Sequence, residues 1–422
     1  MHVHRPGRVV VDAPILGELK PRLPTPLGQL LQTSPRFRTL PWTDQLSMAP
    51  LMLAAIDVGA ERERYDNMSA EELFRICGVT KRLHDEFLKP LLLVGLFAPP
   101  EEVSAAAMLE TFYFYALAHQ NDFDVRWCRS TVADAFFAPM VRDIEADGGR
   151  VLARKFVRDI KAVGNQVKTV VAQDEEGNQV EYQADAVVFA VGISGMKKIL
   201  QTSRTLGSRS EFNGVMNLKS IDCVATRLWF DRIVPTKTPS NVISGFYDDI
   251  GGTFFHLNDI QDEFKNADGS VIAADFYHAN ALLPMTDEQI VAEVKSNLAA
   301  CIPGYADANV IDSAVLRFPQ AVTHFSPGSE RYRMTQTTSF DNVFVAGDWV
   351  KELDHGSNGL SQERAYVTGL SAANLAMRKL GLSKKAEILQ VEPDEAHIAV
   401  AKQLNRSLHN ILDATGIPQL FL

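Results

Sequence analysis

The chain has 422 residues, of which 46% are hydrophobic and 22% charged, so it is long enough to bury a substantial core and to form two or three domains. Its formal net charge of −10 argues against nucleic acid as a partner, because phosphate binding requires clustered Lys and Arg. The four cysteines and the histidines show no metal-ligand spacing, so no metal site is expected.

Residues 1 to 120 are predicted to be mainly helical. Ser69 and Glu72 have the spacing of a capping box, and Ser104 begins a further helix. Two apolar stretches, SMAPLMLAAIDVGA and PLLLVGLFAPP, are shorter than the ~20 residues that a membrane span needs, and both contain proline. We interpret them as core or substrate-lining helices, with contact to a membrane surface as the alternative.

Residues 121 to 340 are predicted to contain two sheets. The first follows Gly148 and runs through VLARKFVRDI, VKTVVAQ, QVEYQ and AVVFAVG, a meander that leads into a buried parallel strand. Gly192 ends that strand and opens GISG, a strand-to-helix turn. The second sheet, within residues 213 to 340, contains CVATRLWF, GGTFFHL and SVIAADFYH, with one helix from Asp287 to Cys301.

Residues 341 to 422 contain the most candidate ligand-binding residues. The apolar run VFVA is followed by Gly347 and Asp348, at the end of a strand where open α/β sheets bind ligands. Ser361 is a suitable N-cap for the next helix, whose free N–H groups would point toward an electron-rich ligand. The last predicted element is an amphipathic helix from residue 395 to residue 414.

The stretch VFVAGDWVKELDHGSNGLSQERAYVTG resembles the carboxyl-terminal FAD motif of the flavin amine oxidase and phytoene desaturase superfamily. Five earlier segments occur in the order typical of plant and cyanobacterial phytoene and zeta-carotene desaturases: LPTPLGQLL, YDNMSAEELFRICGV, GGRVLARKFVRDI, ADAVVFAVG and RFPQAVTHFSPG. The resemblance therefore covers essentially the whole chain. This chain departs from the family in one visible place, since Arg364 stands where the family usually has glycine.

The resemblance implies an α/β fold with an FAD-binding Rossmann-like domain of the amine oxidase and glutathione reductase type. The predicted domains are a helical, substrate-side region (1–120), the central part of the FAD-binding domain (121–212), a sheet-based substrate domain (213–340), and the carboxyl-terminal part of the FAD-binding domain with the terminal helix (341–422). The implied FAD contacts are Val157, Gly192, Gly347, Asp348, Ser361, Gln362, Glu363, Arg364 and Ala365.

The superfamily opens with a βαβ unit that bears GxGxxG, and no such motif occurs in this sequence. The FAD-binding domain is therefore expected to be N-terminally incomplete, and the chain as given is expected to retain FAD weakly. If the pyrophosphate binds elsewhere, Arg126 and Arg129 are the first candidates. The alternative is that both arginines pair with Asp122 and Asp124.

Three functions are consistent with these observations. The first is an FAD-dependent oxidoreductase that takes a hydride from a lipophilic isoprenoid or carotenoid-like substrate, with quinone or oxygen as electron acceptor. The second is a flavin amine oxidase that acts on a C–N bond, and the third is a truncated, non-catalytic homologue. His355 is the one weak candidate for a catalytic side chain. The expected location is cytoplasmic or plastid, with peripheral contact to a membrane.

Overall fold

The structure is a computed structural model and describes residues 2–12, 23–118, 126–351 and 360–415. These residues form the strands β1 (His2–Arg5), β2 (Arg8–Asp12), β3 (Phe156–Val163), β4 (Gln166–Gln173), β5 (Gln179–Gln183), β6 (Val187–Phe189), β7 (Lys219–Phe230), β8 (Ser240–Ile243), β9 (Gly251–His256), β10 (Val271–Tyr277), β11 (Val310–His324) and β12 (Val343–Val345).

The helices are α1 (Leu27–Thr33), α2 (Trp42–Leu46), α3 (Ala49–Asp57), α4 (Arg62–Asp66), α5 (Ala70–Ile76), α6 (Lys81–Leu83), α7 (Lys89–Gly95), α8 (Ala105–Phe112), α9 (Ala138–Ala146), α10 (Ile193–Thr202), α11 (Arg204–Gly207), α12 (Ser210–Gly214), α13 (Leu257–Ile260), α14 (Asp287–Cys301), α15 (Gln362–Lys379) and α16 (Ala396–Thr415). No helix within the described ranges has both the length and the apolar character needed to cross a membrane.

The chain divides into two compact units, each built from separated segments. Unit 1 comprises residues 1–132, 221–319 and 392–422, and unit 2 comprises residues 133–220 and 320–391. These boundaries differ from those predicted, since the described residues 126–132 group with unit 1 and residues 213–220 with unit 2. Residues 320–340 group with unit 2, and α16 groups with unit 1 because it packs against α3.

Unit 1 contains most of a seven-stranded sheet with the order β11-β7-β10-β9-β8-β1-β2. One face packs against α14, where Ile290, Val294 and Leu298 meet the buried side chains of Phe254 and Phe276. The strands β1 and β2 were not predicted, since residues 1 to 120 were expected to be mainly helical. They form because β1 pairs in parallel with β8, a partner more than two hundred residues away in sequence.

Three helices of unit 1, α5, α8 and α14, begin where the sequence predicts. Ser69 and Glu72 form the capping box of α5, and the hydroxyl group of Ser104 accepts a hydrogen bond from the backbone N–H of Ala107 at the start of α8. The helix from Asp287 to Cys301 is confirmed, with Thr286 as its cap.

The last helix is held by a buried carboxylate. The Tyr65 hydroxyl donates to Asp57 at 2.8 Å, and the side chains of Asn405 and His409 on α16 also bond to Asp57. Asp57 is only 1% exposed, so these donors, rather than water, form its hydrogen bonds.

Unit 2 contains the predicted meander and the parallel strand β6, although Val188 of β6 is 39% exposed where a fully buried strand was expected. The antiparallel sheet β3-β4-β5 lies beside the parallel pair β6 and β12, with Val187 opposite Val343 and Phe189 opposite Val345. The core of this unit includes Met196 of α10 and Trp349, both fully buried. All three residues of β12 are buried, as expected for a strand covered on both faces.

Candidate flavin-binding site

Two parallel strands of unit 2 end at one edge of their sheet. After β6 the chain reaches Gly192, the N-cap of α10, and after β12 it reaches Gly347 and Asp348. The indole N–H of Trp349 donates to the carbonyl of Val191 at 3.0 Å and so ties the two strand ends together. The sheet therefore brings Gly192 and the Gly347-Asp348 pair to the same edge, where α/β proteins bind ligands.

Glycine is required at position 347. Its φ is +142°, and a Cβ atom there would lie 2.9 Å from the indole nitrogen of Trp349. The residue turns the chain away from β12 in a conformation that an L side chain rarely adopts. The strand consequently ends here and Asp348 projects from the turn.

Asp348 is a largely desolvated carboxyl. Burial raises its pKa above the ordinary value of 3.8, while a hydrogen bond from Thr323 and the charges of Arg333 and Arg364 act in the opposite direction. The Thr323 hydroxyl donates to Asp348 Oδ1 at 2.9 Å. The side chain stays partly accessible, so it has acceptor capacity left for a ligand.

Two buried guanidinium groups hold the backbone that follows Asp348. Arg364 donates through Nε to the carbonyl of Asp348 at 3.2 Å and through Nη2 to the carbonyl of Val350 at 2.6 Å. Arg333 donates to the carbonyls of Trp349 at 2.8 Å and Val350 at 3.0 Å. Both side chains are at least 96% buried, and their forked geometry fixes three successive carbonyls.

The helix α15 begins at the same place. The Ser361 hydroxyl accepts a hydrogen bond from the backbone N–H of Arg364 at 3.3 Å, which confirms the predicted N-cap. One turn further on, the Thr368 hydroxyl accepts from the N–H of Gly347 at 2.9 Å. Gln362 and Glu363 in the first turn are exposed residues, and they lie at the positive end of the helix dipole.

The remaining predicted residues lie as follows. Ala365 is exposed in the first turn of α15, and Val157 lies in β3, paired with Ala172 of β4. His355 lies outside the described residues. Arg129, a candidate for a separate pyrophosphate site, donates through Nε to Asp262 Oδ2 at 3.0 Å, which is a different partner from the predicted aspartates.

Four contacts of this site were not foreseen: Thr323 on Asp348, the Arg333 pair of bonds, the Trp349 bond to Val191, and the Thr368 bond to Gly347. Among the side chains that donate hydrogen bonds in this site, only Arg364 stood out in the sequence, because it occupies a position where the family usually has glycine. Its side chain supplies donors that a glycine lacks.

The hydrogen-bonding groups of this site suit one end of FAD. A partly accessible carboxylate matches sugar-like hydroxyl groups, and the positive end of the α15 dipole matches ring carbonyl oxygens. Within the described part of the chain, these groups all belong to unit 2.

Comparison with known proteins agrees with this geometry. The family described as flavin containing amine oxidoreductase matches residues 2–377. The probable zeta-carotene desaturase of Synechococcus elongatus is 24% identical, over 85% of this chain and 79% of that protein. The 15-cis-phytoene desaturase of Solanum lycopersicum is 23% identical, and the alignment covers 78% of this chain but only 56% of that protein, so the chain spans little more than half of its length.

Solved structures share the fold. Cyclohexylamine oxidase from Brevibacterium oxydans matches 82% of this chain and 77% of its own, with a TM-score of 0.59 at 14% identity. An oxidoreductase from Methanosarcina mazei matches 79% of this chain and 73% of its own, with a TM-score of 0.56 at 14% identity. At these identities the likeness concerns the α/β architecture alone. Together with the family match over most of its length, it shows that the chain belongs to the flavin-containing amine oxidoreductase family and is an FAD-dependent oxidoreductase.

Proposed function

We propose that this chain oxidises a C–H bond of a lipophilic isoprenoid or carotenoid-like substrate, as a desaturase or dehydrogenase. The observation that carries the proposal is the alignment of most of the chain with carotenoid desaturases, together with the strand, Gly347-Asp348 turn and Ser361-capped helix. FAD, when bound, supplies the hydride-accepting chemistry.

The residues of this chain would orient FAD and keep it in place. Asp348 would accept hydrogen bonds from the ribityl hydroxyl groups, and the N–H groups of Gln362 and Glu363 would face the pyrimidine end of the ring system. Arg364 and Arg333 would act through the backbone, since they fix the carbonyls of residues 348 to 350 and thereby the direction of Asp348. Val157 and Gly192 would line the adenine side and the dinucleotide crevice.

Membrane-dissolved substrate and a quinone acceptor would require access to a bilayer surface, and unit 1 exposes apolar side chains that suit this role. They lie on α1, α2, α3 and α16: Leu27, Leu30, Leu31, Trp42, Leu46, Leu53, Val400, Leu404 and Ile411. Scattered apolar residues are ordinary at a surface, but these belong to a few helices of one unit. We include peripheral membrane contact in the proposal. The proposed location is cytoplasmic or plastid. Oxygen is the alternative to quinone as electron acceptor.

Membrane contact is testable by flotation with phosphatidylcholine vesicles. Replacing Leu30 and Leu31 by serine should move the protein out of the floating fraction. Replacing Val163, which is 74% exposed on β3 of unit 2, by serine is the matched control and should leave flotation unchanged. Equal flotation of all three proteins would contradict membrane contact by α1.

The reaction itself is tested with the full chain, incubated with FAD under anaerobic conditions. Addition of phytoene or zeta-carotene in vesicles should bleach the flavin absorbance and yield a product with one more double bond. Bleaching by primary amines alone would favour C–N oxidation instead. A chain that binds FAD but is reduced by neither class of compound would support the non-catalytic alternative.

A further inference from the structure

One carboxyl group of unit 1 has no part in the site described above. Asp275 lies in the middle of β10, directly opposite Ala225 of β7 and Thr253 of β9. Alternate residues of a strand share a face, so Asp275 lies on the same face as Ala273 and Tyr277. This is the opposite face from the one that packs against α14.

Apolar packing closes both ends of this face. At one end the ring of Phe97 stacks on Tyr277, with 3.8 Å between the centroids. At the other end Phe264 and Val271 form a buried cluster with Trp229 packed against it. Next to Asp275 on this face lie the small residues Cys223, Ala225, Thr253 and Ala273, and the registers also place Arg227 and Phe255 there, opposite Ala273. Cys223, Ala225, Ala273 and Asp275 are all only partly buried, so the middle of the face stays partly accessible.

The carboxyl group of Asp275 is desolvated but keeps part of its surface accessible. Burial raises its pKa to about 6, and the charge of Arg227 offsets only part of that effect. Burial and the nearby Asp275 also raise the pKa of Tyr277, which indicates that the two groups share one environment. A group that is removed from bulk water yet accessible lines a cleft rather than the outer surface.

Asp275 also has unused hydrogen-bonding capacity. No donor in the described part of the chain bonds to it. The neighbouring hydroxyl groups of Thr253 and Tyr277 lie 2.9 Å apart, so one of them donates to the other, and neither bonds to Asp275. Arg227 forms no ion pair with it within 4 Å, and its guanidinium group lies 5.6 Å from the ring centroid of Phe264. A buried carboxylate without a donor costs free energy that a ligand can recover.

We propose that this face of the sheet is a binding subsite for an apolar molecule that carries one hydroxyl group, and that Asp275 accepts the hydrogen bond from that hydroxyl. The inference rests on the proposed function and narrows the substrate class to hydroxyl-bearing isoprenoids. A pure hydrocarbon would leave the carboxylate unpaired. An ammonium group would be repelled by the nearby charge of Arg227, so a neutral donor fits best.

The test measures binding to the full chain by equilibrium dialysis of three probes of equal chain length: farnesol, farnesene and farnesylamine. Farnesol should bind at least about tenfold more tightly than farnesene, since a hydrogen bond to a charged acceptor has that effect or more. Asp275→Asn should reduce this preference to within about threefold and leave farnesene binding unchanged. Asp268→Asn, the same substitution at an exposed position before β10, is the control and should keep the preference.

A second variant tests the space around Asp275 rather than the charge of its carboxylate. Ala225→Leu places a larger side chain opposite Asp275 and should weaken farnesol and farnesene alike. The inference is overturned if farnesol and farnesene bind equally to the unaltered protein, if Asp275→Asn retains the preference, if farnesylamine binds most tightly, or if no probe binds.

Failure of this inference is distinguishable from failure of the proposed function. Reduction of the flavin by carotenoid hydrocarbons without any preference for farnesol would leave the proposed function standing and remove the subsite. A farnesol preference that depends on Asp275, without flavin reduction by any isoprenoid, would support the subsite and contradict the proposed reaction.

Discussion

Asp275→Asn should stabilise the folded protein at neutral pH. The substitution keeps the shape of the side chain and removes a charge that burial disfavours. The pKa of Asp275 is raised from 3.8 to about 6 in the folded state. Because a tenfold change in an equilibrium corresponds to about 1.4 kcal/mol, this difference costs the folded protein about 3 kcal/mol when the group is ionised.

The sign and the pH window follow from the direction of the shift. A carboxyl whose pKa is higher in the folded state binds its proton more tightly there, so stability is lost as the pH rises from about 4 to about 6. The full cost is present above pH 6. At pH 5 the folded group is still mostly protonated, and the cost is about half as large. The advantage of Asp275→Asn should therefore shrink from about 3 kcal/mol at pH 7.5 to about 1.5 kcal/mol at pH 5.

Urea unfolding at these two pH values measures the effect as a shift in midpoint at constant slope. Asp268→Asn, at an exposed position, controls for the general loss of one negative charge from a chain of net charge −10. The reasoning is refuted if Asp275→Asn does not stabilise at pH 7.5, or if its gain is the same at both pH values. Stabilisation combined with loss of the farnesol preference would identify a carboxyl retained for binding at a cost in stability.

Three further predictions concern the flavin site and the last helix. Asp348→Ala should weaken FAD retention by about 1.5 to 3 kcal/mol for each ribityl hydrogen bond lost, and an unchanged dissociation constant in fluorescence titration would refute the assignment. Arg364→Met should lower the free energy of unfolding by about 1 to 3 kcal/mol, because it removes donors from the buried carbonyls of Asp348 and Val350. Arg364→Lys should lower it less. Equal urea midpoints for the two variants and the unaltered protein would contradict this. His409→Leu should release α16 to trypsin sooner than the exposed control Ser407→Ala does, because it removes one donor from buried Asp57; identical digestion rates would show that the bond does not hold the helix.

The sequence is most informative where structure is determined locally. The starts of α5, α8, α14 and α15 follow from a capping side chain and its partner three residues later, so short patterns around Ser69, Ser104 and Ser361 suffice. The turn at Gly347 is likewise predictable, because a buried strand followed by glycine and aspartate limits what the backbone can do.

The parts that were missed depend on distant partners. β1 becomes a strand because His2 lies opposite Asn241, and β11 is mostly exposed and shows little of the alternation that marks a half-buried strand. The role of Arg364 depends on carbonyls 14 and 16 residues earlier in the chain. Asp275 lies in an alternating apolar strand, and only the register with β7 and β9 shows that Ala225 and Thr253 lie opposite it.

The segmented make-up of the two units has a consequence for synthesis of the chain. Unit 1 needs its first strand, a sheet that starts near residue 221, and a helix that ends at residue 415. Its stabilising contacts therefore span nearly the whole sequence, and although one large apolar cluster lies within residues 221–319, β1 and α16 come from the other two segments. Most of the polypeptide must leave the ribosome before unit 1 closes, and until then strand edges and apolar helix faces remain uncovered. Low temperature and slow expression should therefore improve the yield of folded protein, and fragments that lack any one segment of a unit should accumulate as aggregates.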